Sequence, residues 1–209
     1  MMEFISDKLK GREKMGLVMG EPGVGKTETS MHYAAKNGAV ILRSIELMTG
    51  CWLLRKIVFE FGGVPAHSAE KNLDLIGELI LKSSKTRAII VDEADRLANK
   101  PALLETLRDV HDIYHVPVIL VGEQGLEKKL MANRKFYRRI VDVFHFEKLD
   151  KEGVRMFLSQ VSDIRFKDDA VERVAFESKG KISQIITMIY HAEKFARRNN
   201  ISLVGATDF

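Results

Sequence analysis

The sequence predicts an α/β protein: a parallel five-stranded sheet sandwiched by helices, followed by a small C-terminal all-helical region. Three observations predict it. Short apolar runs of strand length alternate with stretches of helical periodicity from about residue 15 to residue 146, the pattern of a parallel sheet covered on both faces. Gly20-Glu21-Pro22-Gly23-Val24-Gly25-Lys26-Thr27 follows the first of these runs and opens a helical stretch, the strand–loop–helix setting of the pattern G-x-x-x-x-G-K-[ST]. After Leu149 the strand-length runs stop and helical spacing alone remains.

Each element has its own signal. Residues 3–10 alternate apolar and charged groups, which predicts a short helix. Strand one is expected at about 15–19 and helix one near 26–37, where Asn37-Gly38 supplies the C-terminal stop. Ala39-Val40-Ile41-Leu42 is a short strand, and 43–50 a connection. From Cys51 to Phe61, Leu53, Ile57, Val58 and Phe61 repeat at helical spacing, with Cys51 and Trp52 expected to pack inward. Gly62-Gly63 and Pro65 end that helix. A helix over 68–83 carries Leu73, Ile76, Leu79 and Ile80 on one face. Arg87–Val91 reads as a buried strand that delivers Asp92-Glu93 at its end. A helix at 101–114 leads to a strand at 116–121, which ends at Gly122-Glu123-Gln124. A basic helical segment over 125–139 precedes a strand near 141–146, and Phe136 and Tyr137 within it read as core rather than stacking residues. Three helices then follow, at about 150–161, 168–178 and 181–198, with no further strand. Asp150 and Asp169 are the expected N-caps, the latter with Glu172 in a capping box. This divides the chain into a core over 1–148 and a helical lid over 149–209.

Bulk composition narrows the function. The chain has 209 residues, 45 % hydrophobic and 30 % charged, as in a globular protein. Its single cysteine, Cys51, excludes an internal disulfide and suits a reducing cytoplasm. The first residues lack the apolar core of a signal peptide, and no run approaches the eighteen or so residues that cross a membrane. A net charge of +4 is compatible with nucleic acid. The basic groups concentrate in Lys128, Lys129, Arg134, Lys135, Arg138 and Arg139, with no acidic residue between the first and last of these.

The chemistry starts at the glycine-rich loop. Glycines let consecutive backbone N–H groups turn inward onto phosphate oxygens, and the helix N-terminus adds partial positive charge. Gly20, Glu21, Pro22, Gly23, Val24, Gly25, Lys26, Thr27 and Glu28 are therefore the candidate phosphate-binding residues. Lys26 would reach the β- and γ-phosphates, and the Thr27 hydroxyl would ligate Mg²⁺. An ordinary Gly/Pro turn would match these fixed positions in roughly one chain of this length per hundred. Asp92, at a strand end, is the second metal-binding candidate. Glu93 is the candidate base that takes a proton from the water attacking the γ-phosphate. A solvated acidic turn, Asp92-Glu93-Ala94-Asp95, is the alternative, which the upstream loop disfavours. Strand 116–121 should lie between the two motif-bearing strands, so Glu123 or Gln124 at its tip would face the γ-phosphate. Arg139, or Arg138 beside it, is a candidate arginine finger entering a neighbouring subunit's site. A solvated basic face or DNA phosphate contacts are the other readings of these arginines.

With these residues in hand, the chain resembles the AAA+ ATPases, and more closely the MuB/TniB group of transposition ATPases. The likeness is carried by Gly20–Glu28, by Val91-Asp92-Glu93-Ala94-Asp95 with its Leu-rich helix, and by Ile119-Leu120-Val121-Gly122. Tyr137-Arg138-Arg139-Ile140 and Gly180-Lys181-Ile182 in the lid extend it over nearly the whole chain. The resemblance implies a P-loop NTPase (AAA+) fold, Mg²⁺-dependent ATP hydrolysis and ATP bound between subunits, with Arg139 donated in trans. It also implies a homo-oligomer, ring or filament, formed on duplex DNA with little sequence preference, and recruitment of a transposase. Under it, Arg43, Thr49 and Lys56 are the candidate DNA contacts. Glu123 stands where many relatives carry Asn or Thr, and Ser183-Gln184 where many carry a lid arginine that Lys181 would partly replace. No DNA-binding domain precedes the core, so DNA contact is expected from the core itself. A helicase loader or replication initiator, a secretion-associated ATPase and a small-molecule kinase are the competing functions.

Overall fold

All six residues of β1 (Met15–Gly20) are buried. Successive side chains of a strand point to opposite faces, so such burial requires cover on both sides of the sheet. In the computed structural model, which describes residues 15–83 and 87–209, β1 lies inside a five-stranded sheet. The other strands are β2 (Val40–Arg43), β3 (Ile89–Asp92), β4 (Val118–Gly122) and β5 (Ile140–Phe146), and all pairs are parallel in the order β2-β3-β4-β1-β5. The helix expected at 3–10 lies outside the described residues.

Among the described residues seven helices accompany this sheet: α1 (Lys26–Asn37), α2 (Gly50–Glu60), α3 (Ala69–Lys82), α4 (Asp95–Ala98), α5 (Pro101–Tyr114), α6 (Leu126–Met131) and α7 (Arg134–Tyr137). Leu17, Ile89, Val91, Val118 and Leu120 share one core layer with Leu53 and Ile57 of α2, Ile76 of α3, and Leu104 and Leu107 of α5. The alternate residues Val18, Ile90, Ile119 and Val121 join Tyr33 of α1 in the other layer. Because the strands are parallel, their C-terminal ends collect along one edge, where ligands of such sheets bind. Arg43 sits opposite Asp92 there, and Met19 opposite Gly122.

The chain divides into two compact units. One holds the residues up to Gly20 together with Lys26–Phe146; the other holds Glu21–Gly25 and Glu147–Phe209. Helices α8 (Lys151–Val161), α9 (Asp168–Ser178) and α10 (Ile182–Asn199) build the second unit around Val154, Leu158, Val171, Val174, Ile185 and Ile189. Asp150 caps α8 by accepting a hydrogen bond from Gly153 N at 2.7 Å. Among the described residues no helix is long and apolar enough to cross a membrane.

Four local expectations need correction. The basic segment 125–139 is two helices rather than one: the Asn133 side chain accepts from Phe136 N at 3.2 Å, which starts α7 afresh. Phe136 itself is fully buried. Asp169 lies inside the first turn of α9 rather than at its cap; its carboxylate accepts from Ala170 N and from Ala206 N, and so ties down the C-terminal segment. The second unit also contains a two-residue parallel pair, β6 (Arg165–Phe166) with β7 (Leu203–Val204), too short for any periodicity to signal. Finally, Trp52 does not pack inward. The buried face of α2 is Leu53, Leu54, Ile57 and Val58, and Trp52 falls on the other side, 37 % exposed.

Gly180 holds the second unit's interior turn. Its φ of 71° is left-handed, its carbonyl accepts from Leu149 N at 3.0 Å, and a Cβ there would collide with the Leu149 backbone. Gly180→Ala is therefore expected to destabilise the chain by about 2 kcal/mol or more, read as a lower urea midpoint. An unchanged midpoint would show that this turn relaxes freely.

Candidate nucleotide-binding site

Parallel strands bring residues distant in sequence to one edge. At the end of β3, Asp92 is 5 % exposed and its Oδ2 accepts a hydrogen bond from Thr27 Oγ1 at 2.9 Å, across 65 residues of sequence. Backbone bonds fix that end: Ser44 N donates to Asp92 O at 2.9 Å and Ala94 N to Val121 O at 2.9 Å. Lys26 precedes Thr27 at the start of α1, and its Nζ donates to Gly20 O at 2.7 Å. Burial pushes the Lys26 ammonium below the usual lysine range, and Glu123, Asp92, Asp95 and Glu93 oppose that shift by their negative charge. Within the first unit Lys26 thus stands among four carboxylates, two of which have a second cation: Glu93 has Arg43 at 3.6 Å and Asp95 has Lys129 at 3.0 Å. A polyanion brought here needs further positive charge to balance them.

The donor set fits a hard divalent cation bound together with phosphate. Thr27 and Asp92 offer a hydroxyl and a carboxylate oxygen in mutual hydrogen-bond contact, the oxygen chemistry that Mg²⁺ prefers. Among the described residues no group of three or more His, Cys, Asp or Glu forms a metal cage. A cation held by one or two side chains plus substrate oxygens and water is the remaining arrangement, and it is the usual one for Mg²⁺.

Glu93 follows Asp92 with a left-handed backbone, φ 56°, a conformation that is strained for a residue with a Cβ. Its carboxylate lies 3.6 Å from Arg43 at the end of β2, so the candidate base and one candidate DNA contact are ion-paired. Glu123 stands just past β4 and is exposed, as is Gln124. The Glu123 N–H donates to Asp95 Oδ2 at 2.7 Å, and Asp95 Oδ1 accepts from Lys129 Nζ at 3.0 Å. A Cβ on Gly122 would collide with Asp95 and Leu126. Asp95 therefore clamps the β4 tip, a role that its place in the acidic turn did not reveal. Its position three residues after Asp92 was the one signal available.

In the second unit, loop Glu21–Gly25 meets the start of α10. Gly23 and Gly25 have φ of 84° and 98°, values that favour glycine. Gly23 O accepts from Ser183 N at 3.0 Å, and Cβ atoms on Gly23 and Gly25 would run into Ser183 and Ile182. Glu21 accepts from Lys148 Nζ at 2.6 Å and pairs with Lys181 Nζ at 3.2 Å. These hydrogen bonds hold the Glu21 carboxyl below its usual range. Val24 is buried, whereas Pro22 and Glu28 are exposed.

The remaining candidates stand apart from the Lys26 group. Arg139 makes a two-pronged hydrogen bond to Asp112, with Nε at 3.0 Å and Nη2 at 2.8 Å, and this holds the Asp112 carboxyl below its usual range. It lines a polar hollow with His111, Asp112, His115, Arg138 and Val141. Thr49 caps α2 by accepting from Trp52 N at 3.3 Å. Lys56 pairs with Glu60 at 2.7 Å on the outer face of the same helix.

A parallel sheet covered by helices, with the G-x-x-x-x-G-K-[ST] pattern between its first strand and first helix, is the P-loop fold. The AAA domain family matches residues 9–130, more than half of the sequence, and the chain belongs to that family. It is 42 % identical to a potential ATP-binding protein of Staphylococcus aureus, with 69 % of this chain and 63 % of that protein aligned. It is 27 % identical to the ATP-dependent target DNA activator B of Escherichia phage Mu, over 59 % of this chain and 39 % of that protein. The chain thus spans less than two thirds of either relative's length. Among solved structures it superposes on the Aeropyrum pernix ORC2 protein in ADPNP–ADP complexes. That match has a TM-score of 0.77 at 16 % identity and covers 99 % of this chain and 64 % of that one, a likeness of fold.

The Asp95 clamp makes a stability prediction. Asp95→Ala strips the acceptor from both Glu123 N and Lys129, and should cost about 1–2 kcal/mol. Asp95→Asn keeps an acceptor for the N–H and should cost no more than about 1 kcal/mol. Equal losses for the two variants in urea unfolding would contradict the clamp.

Proposed function

We propose that the chain is an ATP-dependent, DNA-binding AAA+ ATPase that assembles on duplex DNA and assists a transposase in choosing its target. The Thr27–Asp92 contact beside Lys26 is the observation that carries the ATPase part of this reading. Support for the DNA part comes from the identity shared with the phage Mu target DNA activator and from the exposed cations Lys128, Arg134, Lys135 and Arg138, which have no ion-pair partner among the described residues. Such a row contacts phosphates rather than bases, so binding should be weakly sequence-specific and salt-dependent. The cell compartment in this reading is the cytoplasm.

In this reading, backbone N–H groups from Gly20 to Glu28 bind the phosphates, with Lys26 Nζ exchanging Gly20 O for a phosphate oxygen. Thr27 and Asp92 would hold Mg²⁺, which would supply positive charge against the phosphates. Glu93 accepts the proton of the attacking water. The side chain at the β4 tip, Glu123 or Gln124, orients that water. Arg139 leaves Asp112 and neutralises charge at a neighbouring subunit's site. Residues 149–209 act as the lid, with Lys181 as its cation.

The Arg43–Glu93 pair gives DNA a route to the chemistry. In this reading the guanidinium paired with the base suppresses hydrolysis, and a DNA phosphate competing for Arg43 releases Glu93. Thr49 is committed to capping α2 and Lys56 to Glu60, so Arg43 is the DNA candidate most able to respond.

Three variants test the scheme together, with nucleotide binding, hydrolysis and DNA affinity as readouts. Lys26→Ala should abolish nucleotide binding. Glu93→Gln should retain ATP while hydrolysis falls by at least about a hundredfold. Arg43→Ala should raise hydrolysis without DNA and remove its stimulation by DNA. Unchanged turnover in Glu93→Gln would place the base elsewhere, and nucleotide-independent, salt-insensitive DNA binding would remove the DNA reading.

A further inference from the structure

The outer face of α2 carries a pattern that the nucleotide site does not use. Trp52, Arg55, Lys56 and Phe59 stand at i, i+3, i+4 and i+7, so they share one face of the helix, opposite the buried Leu53, Leu54, Ile57 and Val58. Trp52 is 37 % and Phe59 61 % exposed, though aromatic side chains of this size dominate cores and interfaces. With Thr49, Cys51 and Pro65 these four residues line a groove of about 550 Å³, within the range of about 300–1,000 Å³ usual for binding pockets. Arg55 is exposed and makes no ion pair or hydrogen bond among the described residues.

Charge and geometry decide between a nucleic acid and a peptide. Stacking of bases needs a free aromatic face and a run of unpaired cations. Here the Lys56 ammonium lies 5.1 Å from the Phe59 ring centroid and pairs with Glu60 at 2.7 Å. One face of that ring thus has a cation over it, that cation is neutralised, and a carboxylate stands on the rim. The free cation that remains is a single guanidinium, suited to one carboxylate held in two-pronged fashion. Around it the lining is aromatic and apolar, suited to a side-chain anchor of the kind that dominates small interfaces. We propose that this groove docks an acidic segment of a partner protein, with an aromatic or large aliphatic side chain between Trp52, Phe59 and Pro65 and a carboxylate on Arg55.

The chain has one tryptophan and one cysteine, and both line the groove, so Trp52 emission and Cys51 alkylation report its occupancy directly. The experiment selects short random displayed peptides on the whole chain, then titrates the enriched sequences as synthetic, Trp-free peptides. The expected winners carry Asp or Glu within a few residues of Phe, Tyr or Leu. They should shift Trp52 emission, slow the alkylation of Cys51 and lose affinity by about tenfold or more in Arg55→Glu. Phe59→Ala should weaken them as well, while thermal unfolding confirms that both variants stay folded. Failure to enrich any sequence, winners without acidic bias, or equal binding by Arg55→Glu would each overturn the proposal. So would a poly-dT oligonucleotide that shifts Trp52 emission and loses this effect in Arg55→Glu, because the groove would then be a nucleic-acid surface. None of these outcomes bears on the nucleotide site.

Discussion

Thr27 and Asp92 meet at 2.9 Å because a parallel sheet brings every strand's C-terminal end to one edge. Much else at the candidate site follows from that constraint. β4 lies between β3 and β1, so its tip falls between the acidic end of β3 and the end of β1. Asp95 then holds that tip through Glu123 N and Lys129. Lys26, partly buried at the start of α1, faces the carboxylates that the sheet gathers. The result is a sheet edge where four carboxylates gather around Lys26, with Arg43 and Lys129 on two of them.

Several side chains that the proposed chemistry uses are held by a partner within this chain. Arg139 is on Asp112, Glu93 on Arg43, and Glu21 on Lys148 and Lys181. Each pair is exposed or half-exposed, where ion pairs contribute only about 0–1 kcal/mol. Holds this weak orient a side chain and still release it to a phosphate or to a second subunit. Such exchange is what the proposed control by assembly and DNA contact requires.

Much of the fold was legible in the sequence because burial on both faces leaves a plain mark. Val118–Val121 and Ile89–Val91 are continuous apolar runs, and the glycine loop has a spacing that few other structures need. What escaped depended on single side chains acting over distance. Asn133 breaks a helix with one hydrogen bond, and Asp169 reaches Ala206 rather than its own cap. Trp52 lies one residue off the buried face of α2, a shift too small for spacing to resolve. Asp112 holds Arg139 from 27 residues away, and no local pattern announces such a pair. The candidate site residues were nameable from motifs and resemblance, whereas their partners in the structure were not.

The proposed link between nucleotide and assembly is tested most directly by sedimentation velocity of the chain with Mg²⁺-ATP and duplex DNA, together and singly. The account predicts large assemblies when both are present, and their dissolution as salt rises. A chain that sediments as a monomer under all of these conditions would contradict it.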